Sequence, residues 1–243
     1  MTDSIPNGGG GANQDVLGVV LAGGESRRFG GEKALFPLLG RAMAGWALGA
    51  LEPWTAAQVV ITNDLTVADS LGVPGRPDRI PGLGPLGGLL TALTWAQEEG
   101  REKVFLLACD LPLVTEVLVG SILHQWPEES GAVVPGSHGP LGFEPLCAGC
   151  AVRGLRDVED VIDAGGRTMK SALDRVGVFR IPPSDLGSPE DLSVAFSNVN
   201  TRDMARWAES ALSLRLPPSE GNRWKRKVDP PSEGNRWSRK VDP

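Results

Sequence analysis

From Val16 to Leu216, apolar runs of strand length alternate with longer stretches of helical spacing. VLGVVLA (16–22), AQVVIT (57–62), KVFLLAC (103–109) and GAVVP (131–135) are the clearest runs, and their near-continuous apolarity predicts strands buried on both faces. Between them, RAMAGWALGAL (41–51), GPLGGLLTALTWAQEEG (84–100) and TEVLVGSILHQW (115–126) carry helical spacing, with Thr115 placed to cap its helix. A strand containing Gly149 leads into a helix over about 152–164 that stops at Gly165–Gly166. TMKSALDRV and TRDMARWAESALSLRL predict two more helices, the second capped by Thr201. This alternation predicts βαβ units: an α/β fold with a mostly parallel sheet and helices on both faces.

The two ends break the pattern. Residues 1–14 are rich in Gly and Asn without periodicity and predict a flexible leader, so the folded domain is expected over 15–216. PPSEGNRWKRKVD (217–229) is followed at once by PPSEGNRWSRKVD (230–242), the copies differing only at Lys225 and Ser238. Two short polar copies cannot bury a core, and the expectation for 217–243 is a disordered tail.

Composition narrows the function. A chain of 243 residues with 41% hydrophobic content can bury the core of one α/β domain. A net charge of −6 argues against a general nucleic-acid binder or a membrane-surface protein, both of which rely on a cationic face. No apolar run approaches the roughly 18 residues of a membrane span, and the N-terminus lacks the build of a signal peptide, which predicts a cytoplasmic protein. The three cysteines, Cys109, Cys147 and Cys150, are too few for a disulfide scaffold. CAGC has C-x-x-C spacing, but a zinc site wants further ligands nearby, so strand packing is the expectation.

In open sheets of this kind ligands sit beyond the carboxyl ends of the strands. Gly23 and Gly24 there would free backbone N–H groups to face a ligand, while Arg27, Arg28 and Lys33 add positive charge suited to phosphate. The loop is neither a P-loop, since Lys33 lies between Glu32 and Ala34, nor a G-x-G-x-x-G dinucleotide fingerprint. Asp110 stands directly beyond an apolar strand in LLACDLP, a common place for a Mg²⁺ ligand when phosphates supply the other oxygens. Asn63 and Asp64 follow the second strand, and Asp78 precedes the glycines of IPGLGPLGGLL. Of the two histidines, His124 reads as a satisfied side chain on a helix, and His138, in a Gly-rich loop, is a candidate substrate contact. Neither supports a hydrolase triad.

LAGGESRRFGGEK (21–33) resembles the L-A-G-G-x-S-x-R-[MF]-G-x-x-K signature of MobA-like nucleotidyltransferases. GPLGGL (84–89), ACDLP (108–112), FEPLCA (143–148) and NVNT (198–201) are similar, in order and spacing, to further segments of that family, and the match spans roughly 16–210. The last two of these resemble the molybdenum cofactor guanylyltransferases more narrowly. The resemblance implies a three-layer, Rossmann-like nucleotidyltransferase fold and transfer of GMP from GTP to the phosphate of molybdopterin, with release of pyrophosphate. It implies that Leu21, Ala22, Gly23 and Gly24 line the nucleotide, that Lys33 contacts its phosphates, and that Asp78 and Asp110 lie at the GTP site with Asp110 holding Mg²⁺. The family's nucleotide-contacting Asn falls at Thr62 or Asn63, depending on a one-residue shift. Asn198 and Asn200 correspond to the acceptor side. GTP and molybdopterin or molybdenum cofactor are the implied partners, with molybdoenzymes or their chaperones as candidates. Alternatives left open are a related transferase using CTP or a sugar-phosphate acceptor, and a non-catalytic nucleotide-binding adaptor. Degenerate copies usually lose the loop lysine or the metal aspartate, and both are present here.

Overall fold

A computed structural model describes residues 15–23 and 32–215. The expected leader, the repeated tail, and Gly24, Arg27 and Arg28 lie outside the described residues. Nine strands occur among those described: Val16–Leu21 (β1), Pro37–Leu38 (β2), Arg41–Ala42 (β3), Ala57–Ile61 (β4), Gly75–Arg76 (β5), Lys103–Ala108 (β6), Ala132–Pro135 (β7), Cys147–Ala151 (β8) and Val178–Ile181 (β9). The helices are Met43–Leu51 (α1), Leu65–Leu71 (α2), Pro85–Glu98 (α3), Glu116–His124 (α4), Leu155–Asp163 (α5), Met169–Arg175 (α6), Pro189–Ala195 (α7) and Arg202–Arg215 (α8). No described helix is long and apolar enough to cross a membrane.

The seven-stranded sheet runs β5-β4-β1-β6-β8-β7-β9. Its two faces follow from the period-two geometry of strands. In β1, Val16 and Val20 enter one core with Phe105 and Leu107 of β6, beneath α1 and α4. Leu17, Val19 and Leu21 enter the other with Val104 and Leu106, beneath α3, α5 and α6. Helices therefore cover both faces, giving the three layers. Thr115 caps α4 by accepting from Leu118 N (3.2 Å), and Thr201 caps α8 by accepting from Met204 N (3.2 Å).

β1, β4, β5 and β6 are mutually parallel, as are β7 and β9, but β8 runs antiparallel to both of its neighbours. The connection from β7 to β8, residues 136–146, contains no helix to carry the chain back across the sheet, so it turns through Gly142 (φ 73°) and returns antiparallel. Helix α1 starts at Met43 instead of 41 because Arg41–Ala42 pairs with Pro37–Leu38 in a small hairpin, turning at Leu39 (φ 51°) and Gly40 (φ 81°).

That hairpin has a long-range purpose. Leu38, Met43, Leu113, Val199, Ala205, Ala208 and Leu212 form a third, smaller core that fixes α8 and the segment before it against the body of the domain. Arg215 donates to Leu113 O (2.7 Å), and Glu209 accepts from Leu39 N (2.9 Å).

Candidate active site

Strand register decides what meets at the carboxyl edge of the sheet. Leu21 pairs with Ile61 on one side and Ala108 on the other, and Ile61 pairs with Arg76. Gly23, Asn63, Asp110 and Asp78 each lie two residues beyond one of these four aligned positions. The ladder continues one step past the strands, with Ala22 N donating to Ile61 O (2.9 Å) and Cys109 N to Leu21 O (3.0 Å). The four loops consequently open into one cleft of about 750 Å³.

On one side of the cleft lies an ion pair. Lys33 follows Glu32, whose carboxylate accepts from Ala34 N (3.3 Å) and caps a single 3₁₀ turn over Lys33–Leu35. The ammonium donates to Asp110 Oδ2 at 2.7 Å and to Asn200 Oδ1 at 2.5 Å. Asp110 is held in turn by its backbone: Leu111 N bonds Ala108 O (3.1 Å), and Asp110 O accepts from Val199 N (2.9 Å). Val199 is fully buried in the third core, so the 198–201 segment docks directly on the CDLP turn.

On the other side, Asn63 Nδ2 donates to Asp78 Oδ2 (3.1 Å) while Asp78 N donates back to Asn63 Oδ1 (3.0 Å). Thr62 is buried, and its hydroxyl exchanges hydrogen bonds with the backbone of Asp64 (3.2 Å), so of the two candidates after β4 it is Asn63 that faces Asp78. Between the two sides stands the start of α3. Gly84 (φ 57°) turns the chain into that helix, and Gly88 brings its first turn against Leu21, where an added Cβ would come within 2.8 Å of Leu21 Cδ2. The positive end of the α3 dipole therefore faces the cleft.

Gly23 is exposed at the cleft, its φ is not left-handed, and a Cβ added there would meet no described atom within 4 Å. The turn itself thus does not demand glycine at this position. Asp110 offers one hard oxygen ligand at an open cleft, the donor set that suits Mg²⁺ when phosphates complete the coordination. Among the described residues no group of three or more His, Cys, Asp or Glu is arranged to hold a metal.

Other candidates lie elsewhere. Asn198 is exposed and does not line the cleft, in contrast to Asn200. His138 is exposed and also outside the lining. His124 is exposed and satisfied on its helix; its Nδ1 bonds Gly120 O (2.8 Å) and its ring meets Trp54 edge-on. Cys147 and Cys150 point into opposite cores, which leaves them unable to share a metal or a disulfide without rebuilding the strand. Burial pushes the Cys150 thiol up to about 12, and burial together with the charge of Asp110 does the same for Cys109. None of these thiols is a nucleophile near neutral pH.

Glu144 is a residue that reasoning from sequence did not single out, although it stands in FEPLCA. Glu144 N donates to Pro135 O (3.0 Å) at the end of β7 and Cys147 N to Glu144 O (3.4 Å), so the residue sits in the turn that leads into β8. Its carboxylate accepts from Leu146 N (3.1 Å). Burial raises its pKa above the usual carboxylate range; the Leu146 bond opposes this and the charge of Asp110 adds to it.

Against this geometry, the sequence profile of the MobA-like NTP transferase domain matches residues 18–176, well over half of the chain. The chain belongs to the MobA-like NTP transferase family. Among its relatives, a molybdenum cofactor guanylyltransferase of Desulfosudis oleivorans is 32% identical over 200 residues, covering 81% of this chain and 96% of the relative. That of Cupriavidus pinatubonensis is 31% identical over 207 residues, covering 82% and 98%. The crystal structure of molybdopterin-guanine dinucleotide biosynthesis protein A from Archaeoglobus fulgidus superposes with a TM-score of 0.63 at 26% identity, covering 82% of this chain and 99% of that one. In the MobA-like family member described here, the motif-bearing segments among the described residues border the cleft or support its walls.

The titration of Glu144 has a consequence for stability. A carboxyl whose folded pKa is raised binds more protons in the folded state than in the unfolded one, so stability falls as pH rises through the window above the ordinary carboxylate value. Glu144→Gln keeps the acceptor for Leu146 N and removes the titration. Urea unfolding across the weakly acid to neutral range should show a flatter pH profile for the variant; parallel profiles would contradict the assignment.

Proposed function

We propose that this protein is a molybdenum cofactor guanylyltransferase that transfers GMP from GTP to the terminal phosphate of molybdopterin. The observation that carries this reading is the Lys33–Asp110 pair at the aligned strand ends of a MobA-like domain. An oxygen of the acceptor phosphate attacks the α-phosphorus in line, the bond from that phosphorus to the bridging oxygen of the β-phosphate breaks, and pyrophosphate leaves. The products are the guanine dinucleotide cofactor and pyrophosphate. No general base is required, because a phosphate nucleophile is already ionised at neutral pH. Catalysis of such a step rests on alignment and on neutralising charge.

Lys33 would leave Asp110 to meet the phosphoryl oxygens, and Asp110 would hold Mg²⁺. When bound, the metal offsets charge on the α-phosphate and the leaving group. Leu21, Ala22 and Gly23 form the floor beneath the nucleotide, and Gly23 leaves open the space a phosphate would fill. Asn63 and Asp78, locked to one another, present a fixed polar pair to the nucleoside. Asn200 lies toward the acceptor, and Asn198, outside the cleft lining, has no assigned role. The reaction belongs in the cytoplasm, and its product would pass to molybdoenzymes or their chaperones.

Purified protein given Mg²⁺ and molybdopterin should release pyrophosphate and form dinucleotide with GTP and much less with CTP; the reverse preference would overturn the guanine assignment. Asp110→Ala should lower turnover by about two decades or more, the loss typical of removing one electrostatic stabiliser. Near-normal turnover in Mg²⁺ would remove Asp110 from the chemistry. Gly23→Ala should leave thermal unfolding unchanged or slightly raised, since the methyl meets no described atom within 4 Å, while weakening GTP binding. Unaltered affinity would show that the ligand does not approach this strand end.

A further inference from the structure

We propose that a groove beside the end of α8 is a docking site for the repeated tail of this same chain, and that it takes the tryptophan of either copy, Trp224 or Trp237. The groove lies outside the nucleotide cleft, and the proposal does not depend on the nucleotidyltransferase reading.

A hollow of about 250 Å³, with room for one large side chain, lies where α4, α7 and the end of α8 come together. Leu118, Leu186, Leu192 and Ala195 give it an apolar lining. Val117, on the first turn of α4, also lines it and is 65% exposed, so apolar surface at the groove faces solvent. Arg215 is a further lining residue, and its guanidinium donates to Leu113 O (2.7 Å), which fixes the last turn of α8 there. The chain beyond Arg215 therefore sets out from the groove itself. Around it the charge is negative: Asp191 lines the hollow, and Glu116, Asp185 and Glu190 are each next in sequence to a lining residue. All four carboxylates are exposed, and the ion pairs among the described residues involve none of them.

The tail has the complementary chemistry. Trp224 and Trp237 are the only aromatic residues after Arg215, and each stands among cations, Arg223 and Lys225–Lys227 around the first, Arg236, Arg239 and Lys240 around the second. An indole fills the apolar hollow while the flanking cations meet the surrounding carboxylates. A polar segment that cannot build a core of its own can still order on a surface that supplies its apolar partner. Trp224 comes nine residues after Arg215, a tether that reaches up to about 30 Å. Pro217–Pro218 followed by Ser219–Asn222 suits a chain that runs out and then turns back. On so short a tether the effective concentration is on the order of millimolar, so weak docking is enough to occupy the groove. Trp237 comes 22 residues after Arg215, and the −3/2-power dependence on tether length sets the second copy at about a fourfold disadvantage. The duplication thus gives one groove two competing occupants.

The test is fluorine NMR of the full chain carrying 5-fluorotryptophan at its seven tryptophans. Trp224→Ala and Trp237→Ala assign the two tail signals, and a fluorinated synthetic peptide of residues 217–229 gives the free position. Both tail signals should be displaced from that position, Trp224 about fourfold more than Trp237. Trp224→Ala should move the Trp237 signal further from the free position, because its competitor is gone. Val117→Lys should return both signals to the free position and Val117→Ser part of the way, with the other five signals showing that the fold is kept. The displacements should not change on dilution. Tail signals at the free position in the wild type, or displacements indifferent to both Val117 variants, would overturn the proposal. So would displacements that fade on dilution, since the groove would then hold the tail of a second copy.

Discussion

The arrangement of this protein depends on the register of four parallel strands. Because Leu21, Ile61, Ala108 and Arg76 stand abreast, the residues two places further on are delivered to one line along the sheet edge. Gly23, Asn63, Asp110 and Asp78 then need no special loop design to meet. A one-residue slip in any strand would turn its side chains to the opposite face and exchange apolar core for solvent. The same burial that stabilises β1 between α1 and α3 therefore fixes the cleft.

Around this edge the charge is arranged in two parts. Asn63 and Asp78 hold each other in a closed exchange of hydrogen bonds, a rigid polar surface. Lys33, Asp110 and Asn200 form the other part, in which a cation is shared between an anionic and a neutral oxygen. The first suits recognition of a fixed group, and the second suits a step in which charge moves. The start of α3 lies between them with its positive dipole end inward. Net negative charge over the whole chain is no obstacle, since the local groups at the cleft decide what binds there.

Much of the framework was legible in the order of residues because its elements are long and periodic. β1 and β6 read as continuous apolar runs, and the central helices as amphipathic stretches with recognisable caps at Thr115 and Thr201. The short elements β2, β3, β5 and α2 carry too few residues for a period to show, and β9 and α7 gain definition only from their packing. The reversal of β8 depends on the absence of a crossover helix between 136 and 146, which a strand's own composition does not record. At the site, Gly23, Lys33 and Asp110 stood out by residue type after strand ends, while Asp78 was placed there only by the family resemblance. Thr62 and Asn63 are told apart by their partners, the Thr62 hydroxyl bonding the backbone of Asp64 and the Asn63 amide bonding Asp78. The contact of Asn200 with Lys33 spans most of the domain, and the charge of Asp110 reaches Glu144 only through the folding of the 136–146 connection. Neither leaves a local trace.

The central claim is that one cleft holds a nucleoside triphosphate by its phosphates and passes its α-phosphorus to a second phosphate. It is tested most directly by following a phosphorus label. With GTP labelled at the α-position, together with Mg²⁺ and molybdopterin, the label should appear in the dinucleotide while the pyrophosphate stays unlabelled. Label at the β- or γ-position should appear only in pyrophosphate. Release of labelled inorganic phosphate from the γ-position without dinucleotide formation would contradict the account.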